Sequence, residues 1–565
     1  MHFKLQRRGF NMLTLRNLRR QTLMLAIAGA VGIMGAAQAA APAVGSNQLA
    51  TVSRGVTLSR GDAISGSLPL VYPIHVTVAL KLRNEAQLHA YNAKPHAQMS
   101  QAQLAANYLP TSAQAQEVAN FLKAAGFTNI KVSANRMLVN ADGNAAVASR
   151  AFNTSFAQVK THDGRVTYAN TSDVKIPAAL RGTINAVLGL QRLHKAKTYN
   201  VRAAATGGIS GHDPTQFASI YGASGLNDAS NVDVAVFGWG SMSQTLADLT
   251  TFTTAHSMPA VNTEVVCVDY GGYNSGTFST TDPSCKNSDQ GSVEWDLDSQ
   301  TIVGMTGGVK SLTFYAAYGG YNASITNALN EIVTPTQGEP LAQVINQSFG
   351  ECERYEDSNQ GGDGSAQADD QLYAIGVAQG QTFAASTGDS GSDECGDGKL
   401  NSASYPASSP YNVAVAGTTL NASSTTYSRE TEWISSGGSP SSFEISPSWQ
   451  TGLTYGTYKG FRGPDVAFDA NPNTGAIYYN YGSLIQVGGT SLSSPIFVGA
   501  WARLISNGAV DQMTPAGEQL YSYPASYFHD ITAGNNQGYI TKRGWDWASG
   551  RGSLILSNFS APTIR

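Results

Sequence analysis

Gly488-Gly489-Thr490-Ser491-Leu492-Ser493-Ser494-Pro495 precedes an apolar run from Ile496 to Ile505 that reads as a helix. Small residues allow close approach to Ser491, and a helix behind the turn aims backbone N–H groups at whatever the hydroxyl attacks. Acyl transfer through a serine is the chemistry this setting suits; a loop-to-helix turn with a hydroxyl cap is the plainer alternative. A serine nucleophile needs a base. Beyond residue 205 the histidines are His212, His256 and His529, and none sits in the His-Gly-Thr setting expected of an imidazole partner.

A carboxyl pair offers another base. In Gly291-Ser292-Val293-Glu294-Trp295-Asp296-Leu297-Asp298-Ser299-Gln300, a helix puts Glu294 and Asp298 at i and i+4 on one face and turns Asp296 elsewhere. Adjacent carboxyls resist ionising together, so one holds or shares a proton and the pair becomes a base tuned for acid. On a solvated helix the same spacing is only an acidic stripe. A third segment, Ser386-Thr387-Gly388-Asp389-Ser390-Gly391, follows a strand-like run ending near Ala385. Ligand sites form outside the carboxyl ends of such strands. A protonated Asp389 there could donate to a developing oxyanion; a turn aspartate bonded to its own backbone is the ordinary alternative. A glycosidase built on Glu294 and Asp298 would leave the Ser491 motif without a purpose.

These residues need a scaffold. At 565 residues the chain exceeds one ordinary core and divides into segments. Residues 41–70 read as a lead-in, with structure beginning near Tyr72. A strand is expected over Ile74–Leu82, a helix over Ser112–Ala125 ending at Gly126, a strand over Lys131–Asn140, a helix over Asn144–Phe152 and a strand over Phe156–Val159. That order predicts a compact α+β domain. His194–Gly211 reads as an exposed linker open to proteolysis. Beyond it, apolar runs at Val232–Phe237, Leu312–Tyr315, Val344–Phe349, Phe383–Ser386 and Val413–Ala416 enclose helical patterns such as Ser324–Val333 and Asp369–Ala378. This alternation predicts an α/β, doubly wound and mostly parallel sheet.

Residues 1–39 resemble an export signal: Arg16, Arg19 and Arg20 precede the apolar run Leu23–Met34, closed by Ala37-Gln38-Ala39. That run is too short to span a bilayer, so a secreted protein is expected, with no stable membrane span and a monomeric state. Residues 1–205 carry 23 Lys and Arg against 6 Asp and Glu, and residues 206–565 carry 12 against 33. The acidic part lacks the positive footprint nucleic acid requires, so the two oppositely charged parts are better read as partners of each other. All four cysteines lie in the acidic part, consistent with disulfides in an oxidising compartment. Cys267–Cys285 is favoured because it closes a short loop, together with Cys352–Cys395.

The three segments, in this order, resemble the E-x-x-x-D, S-x-G-D-x-G and G-T-S-x-x-x-P patterns of the sedolisin or kumamolisin family of serine-carboxyl peptidases. Val344–Glu353, Tyr405–Pro410 and Pro464-Asp465-Val466 are similar to the family as well. Tyr108–Leu190 resembles its inhibitory propeptide, through Leu109-Pro110-Thr111, Phe121-Leu122 and Val187–Leu190. The resemblance implies a subtilisin-like catalytic domain over 204–565 and a ferredoxin-like propeptide with its linker over 40–203. It also implies an acid-acting endopeptidase on protein and peptide substrates, made as an autoactivating zymogen inhibited by its own propeptide. In that reading Ser491 attacks the peptide carbonyl, Glu294 takes its proton, Asp298 supports Glu294 and Asp389 stabilises the oxyanion. Phe528–Thr532 and Arg543–Asp546 resemble the family's Ca2+ loop. The implied ligands are the Asp530 and Asp546 carboxylates and the carbonyls of Ile531, Lys542 and Gly544, an all-oxygen set suited to a hard cation. Lys542 stands where the family usually has glycine. The opposite charges of the two parts then suggest a propeptide that loosens as carboxylates protonate in acid.

Overall fold

The computed structural model describes residues 48–203, 210–268, 282–287, 291–453, 458, 460 and 462–559. The export-like residues 1–39 lie outside them. No helix among the described residues is long and apolar enough to cross a membrane.

The N-terminal domain is built on four antiparallel strands, ordered Thr128–Val132, Leu138–Asn144, Pro73–Leu80 and Ile184–Leu188. Two helices, Ser112–Ala125 and Ala145–Ala151, complete a strand-helix-strand-strand-helix-strand order with the first and third strands central, which is the ferredoxin-like arrangement. Val76, Val78, Val118, Leu122, Ala148 and Phe152 are all in its core. The Ser112–Ala125 helix begins at a reciprocal Thr111/Gln114 cap and stops at Gly126, φ 103°, where the left-handed backbone favours glycine. Two expectations fail here. Lys131–Asn140 is not one strand but a hairpin folding back at Ser133–Arg136, with Arg136 N donating to Ser133 O. The supposed lead-in holds strands Leu49–Ser53 and Ala63–Ser67, which pair with Val174–Pro177 and Phe156–Lys160. Their partners lie about a hundred residues away in sequence, so no local periodicity marks them.

The C-terminal domain has an eight-stranded sheet. Thr263–Val268, Val309–Ala317, Ala229–Trp239, Val344–Gln347, Thr382–Ser386 and Asn412–Ala422 run parallel in that order. Tyr427–Glu432 adds an antiparallel edge, and Val466–Asp469 pairs in parallel with Asn412–Ala422. Continuous burial of Val234, Ala235, Val236 and Phe237 shows both faces of the central strand covered, as parallel sheets require. The α/β, subtilisin-like expectation is borne out, and the apolar runs named from the sequence lie within strands, except that Val344–Phe349 leaves its strand at Ser348 and enters a second strand, Phe349–Cys352, of another sheet.

The helices Ser292–Thr306 and Thr490–Ser506 pack closely against each other. A Cβ on Gly499 would lie 2.7 Å from Met305, so glycine is what permits this approach. Trp295 anchors the first helix edge-on against Trp239 (centroids 5.3 Å apart) and donates its indole N–H to the Trp239 carbonyl. The helix is buried nearly all round, which excludes the acidic-stripe reading of Glu294 and Asp298. Both favoured disulfides, Cys267–Cys285 and Cys352–Cys395, are formed.

The N-terminal domain lies on the helices Asn322–Val333 and Ser365–Ala378. Its contacts there are mostly neutral: Asn327 Nδ2 donates to Thr77 Oγ1 (2.9 Å), Asn140 Nδ2 to Asn327 Oδ1 (2.8 Å), Asn92 Nδ2 to Ala374 O (2.8 Å) and Leu82 N to Gln371 Oε1 (2.6 Å). Arg192 lies over the Tyr321 ring. Among the described residues the pair Lys197–Glu394 crosses this boundary, while amides carry the contacts named above.

Candidate active site

Ser491 is in the first turn of the Thr490–Ser506 helix and fully buried. Its hydroxyl donates to Ser348 O (3.2 Å) and accepts from Tyr199 N (3.0 Å). Pro495, four residues on, has no N–H to give the Ser491 carbonyl. The Ser348 hydroxyl lies 3.3 Å from that carbonyl and donates at 2.6 Å to Asp298 Oδ1. Asn346 holds Ser348 from the other side by a 2.9 Å bond from its Nδ2. Ser348 thus joins the end of the Val344–Gln347 strand to both Ser491 and Asp298.

Glu294 and Asp298 are brought together with Ser491, as expected. Burial, then the neighbouring Asp298 charge, raises the Glu294 carboxyl well above the usual range, while the hydroxyls of Ser491 and Thr198 and the amide of Asn200 favour its charged form. Burial also raises Asp298, against hydrogen bonds from Ser348 and Asn346. Glu294 Oε1 and Asp298 Oδ2 each lack a hydrogen-bond partner in a buried setting, which one shared proton would relieve. Asp296 points away, accepting from Asn480 Nδ2 at 2.8 Å, and burial pushes its carboxyl up to about 8.

Asp389 follows the Thr382–Ser386 strand at its carboxyl end, as the sequence suggests. Its Oδ1 accepts from both the backbone N (2.8 Å) and hydroxyl (2.9 Å) of Thr490, whereas Oδ2 has no partner. Burial raises this carboxyl well above its ordinary range, and Glu394 and Glu294 add to the effect against the Thr490 bonds. With Oδ1 occupied by two donors, a proton belongs on Oδ2. Gly489, φ 98°, lies between: a Cβ there would come within 2.0 Å of Tyr199 O and 2.7 Å of Asp389 Oδ2. Tyr199 O also accepts from Ser491 N at 3.0 Å. A carbonyl oxygen is thus held beside the serine N–H and the free oxygen of Asp389, the environment an oxyanion needs.

That carbonyl belongs to the segment expected to be an exposed linker. Instead, His194, Ala196 and Tyr199 are buried. Lys197–Thr198 pairs antiparallel with Phe349–Cys352, and Val201–Arg202 with Ser483–Gly488. The chain crosses the site extended, with Asn200 Nδ2 donating to Glu294 Oε2 at 2.5 Å. The polar composition that suggested a linker serves strand edges far away in sequence, which composition cannot reveal. Ser348, Thr490, Gly489 and Asn200 are the site residues to which the sequence assigned no role; Gly489 and Thr490 lay in the serine motif itself and Ser348 in a stretch noted for its family likeness, while Asn200 had no such signal. None of the three histidines bonds to Ser491: His256 pairs with Asp213 (2.8 Å) and His529 stacks on Tyr427.

The calcium-loop residues lie apart from this site. Gly544 N donates to both oxygens of Asp530 (3.1 and 3.0 Å), and Lys542 N to Asp546 Oδ2 (2.7 Å). Asp546 Oδ1 accepts from the backbone N of Ala548 and Ser549. The Asp530-Ile531 and Lys542–Asp546 loops are therefore adjacent, and their donors are all oxygens. No cluster of three or more His, Cys, Asp or Glu side chains suited to a metal occurs among the described residues. Nearby Glu432 is buried, and burial, then the Asp546 charge, raises its carboxyl well above the usual range against the Ser436 hydroxyl; a cation in this region would offset such crowded negative charge.

Fold and site define a subtilase-like hydrolase whose serine is surrounded by carboxyls instead of imidazole. Residues 64–193 match the family described as Pro-kumamolisin, activation domain, and residues 286–520 match the Subtilase family. The chain is 41% identical to sedolisin of Pseudomonas sp. (strain 101), covering 86% of each. It is 36% identical to xanthomonalisin of Xanthomonas sp. (strain T-22), over 88% of this chain and 66% of that one. The solved structure of Pseudomonas sedolisin, a serine-carboxyl proteinase complexed with pseudo-iodotyrostatin, aligns with a TM-score of 0.56 at 42% identity, covering 63% of this chain and 98% of that one. The chain belongs to the sedolisin family of serine-carboxyl peptidases and carries its activation domain, so it is a serine-type endopeptidase made as a zymogen under intramolecular inhibition by its propeptide.

Proposed function

We propose that this protein is a secreted endopeptidase acting in acid through a Ser491 acyl-enzyme. Glu294 accepts the Ser491 proton as the hydroxyl attacks the peptide carbonyl and returns it to the leaving amine. Asp298, held by Ser348, keeps a proton between the two carboxyls and so tunes Glu294. The oxyanion is met by Ser491 N–H and by the Oδ2 proton of Asp389. Histidine, of pKa ~6.5, would be charged and useless as a base in acid, whereas a carboxyl remains available. Asp530, Asp546 and the carbonyls of Ile531, Lys542 and Gly544 would hold a Ca2+ ion that ties the two loops; the ion takes no part in the reaction.

The observation that carries this reading is the placement of Tyr199: its carbonyl oxygen is 3.0 Å from Ser491 N and its own N–H 3.0 Å from Ser491 Oγ. The propeptide's tail therefore lies as a substrate would, and Tyr199–Asn200 is the first bond cut. In the zymogen the reaction is held back because the Ser491 hydroxyl points to Ser348 O and the Asn200 amide occupies Glu294 Oε2. Intact-mass analysis of acidified zymogen should show a fragment ending at Tyr199, and the mature enzyme should be active around pH ~3–5, where carboxyls titrate. A neutral optimum would instead count against the carboxyl pair as the base.

A further inference from the structure

Residues 197–202 run through the cleft as a peptide would, so their side chains report what the cleft recognises. On an extended strand, Lys197 and Tyr199 project to the same side and Thr198 to the other. On that side lies Glu394, whose side chain is 1% exposed. Lys197 Nζ lies 2.7 Å from Glu394 Oε1 and 5.5 Å from the Tyr199 ring centroid. The other carboxyl oxygen, Oε2, accepts from Ser390 N at 3.2 Å.

The carboxyl is built into place. A Cβ on Gly388, φ 107°, would come within 2.3 Å of Glu394 Oε2, so the glycine leaves it room. Cys395, the next residue, is bonded to Cys352, on the very strand that pairs with Lys197–Thr198. The strand edge that holds the peptide backbone and the carboxyl that meets its side chain are thereby covalently joined. Glu351, on the same strand, is pushed up to about 8 by burial and by the Asp363 charge, so in acid it holds its proton and adds little charge beside Lys197. Among the contacts described above, Lys197 is the cation that Glu394 meets, and it belongs to the segment that leaves on maturation.

We propose that Glu394 is a specificity-determining residue that selects a cationic side chain at the third residue before the cleaved bond. Resting on the register in which Tyr199–Asn200 is cut, this goes beyond the reaction itself. Once the propeptide has gone, Glu394 is a buried carboxyl without its cation, and a substrate lysine or arginine reaching it restores a charge-assisted bond. An acidic residue at that position meets like charge and is rejected.

The test uses mature enzyme and quenched peptides that differ only at that position, carrying Lys, norleucine or Glu, with the cut bond located by mass spectrometry. Norleucine keeps the methylene stem and removes the charge. The expected kcat/KM for Lys exceeds that for norleucine by ~10-fold or more, the scale of a charge-assisted hydrogen bond, and Glu is the poorest. In Glu394→Gln the Lys-to-norleucine ratio falls toward one. Should that variant fail to mature, raising salt on the wild type must still shrink the ratio. Equal cleavage of Lys and norleucine peptides at the intended bond overturns the proposal while leaving the catalytic reading intact. Absence of any cleavage by the wild type overturns both.

Discussion

Asp389→Asn asks whether Asp389 acts as a neutral hydrogen-bond donor. Asp389 Oδ1 is fixed by the Thr490 N–H and hydroxyl at 2.8 and 2.9 Å, both donors, so an asparagine carbonyl fits that position. Its Nδ2 then falls where Oδ2 stood, the oxygen without a partner, and supplies N–H to the substrate carbonyl. Asparagine therefore mimics the protonated acid. Asp389→Ala removes the donor and frees both Thr490 groups; losing one oxyanion donor costs about 10²–10³ in kcat, or ~3–4 kcal/mol. Asp389→Asn is expected to retain at least ~10-fold more activity than Ala on that scale, with KM moving less than kcat. Its activity should also persist to higher pH, because Asp389 loses its proton on the alkaline side while asparagine does not. The assay is kcat/KM against pH with a quenched peptide. To free it from self-processing, a foreign protease site placed at residues 204–209 removes the propeptide independently. An asparagine variant as inactive as alanine at every pH would refute a neutral donor at Oδ2.

Asn200→Ala removes the amide held against Glu294 Oε2 and is expected to speed self-cleavage of the zymogen several-fold at a given pH, followed by gel or mass time courses; slower processing would count against a restraining role. His194 stacks on Tyr355 (centroids 3.9 Å apart) with Nε2 facing Thr57 O, and burial lowers its pKa to about 4. Its contribution to the propeptide contact is complete above the free value of ~6.5 and lost as pH falls through 4, by up to ~3 kcal/mol. Asp62 favours the charged ring and Arg165 opposes it, while Glu351, pushed up to about 8, holds its proton and acts in the opposite direction. His194→Gln in the Ser491→Ala background should flatten the acid dependence of propeptide binding between pH ~4 and 6.5, and an unchanged profile would contradict this. If Ca2+ ties the Asp530 and Asp546 loops, chelation lowers Tm by several degrees and added Ca2+ restores it, through binding to the folded state. An unchanged Tm would remove the ion from the account.

The three chemical segments were legible because each combines a distinctive residue with small neighbours, and the apolar runs that carry them are long enough to announce a parallel sheet. Ser348 was not legible as a partner: its role depends on the Ser491 carbonyl left open by Pro495, a relation between segments about 140 residues apart. Nor was the path of residues 194–203. Tyr199 is a buried anchor with its hydroxyl 2.7 Å from Ser404 Oγ, yet it stands among Lys, Thr, Asn and Arg that locally read as a loop. Its order comes from two strand edges far away in sequence, Phe349–Cys352 and Ser483–Gly488. The charge asymmetry was real, but it did not reveal the individual contacts: Asn and Gln side chains make several of those on the Asn322–Val333 and Ser365–Ala378 helices.

The most direct test is to acidify purified wild-type and Ser491→Ala zymogens side by side with denatured protein at pH ~3–5. The wild type is expected to shorten at Tyr199–Asn200 and digest the protein, while Ser491→Ala stays intact and inert alone yet is trimmed when wild type is added. A Ser491→Ala protein that matures unaided and digests substrate would contradict the assignment of Ser491 as nucleophile.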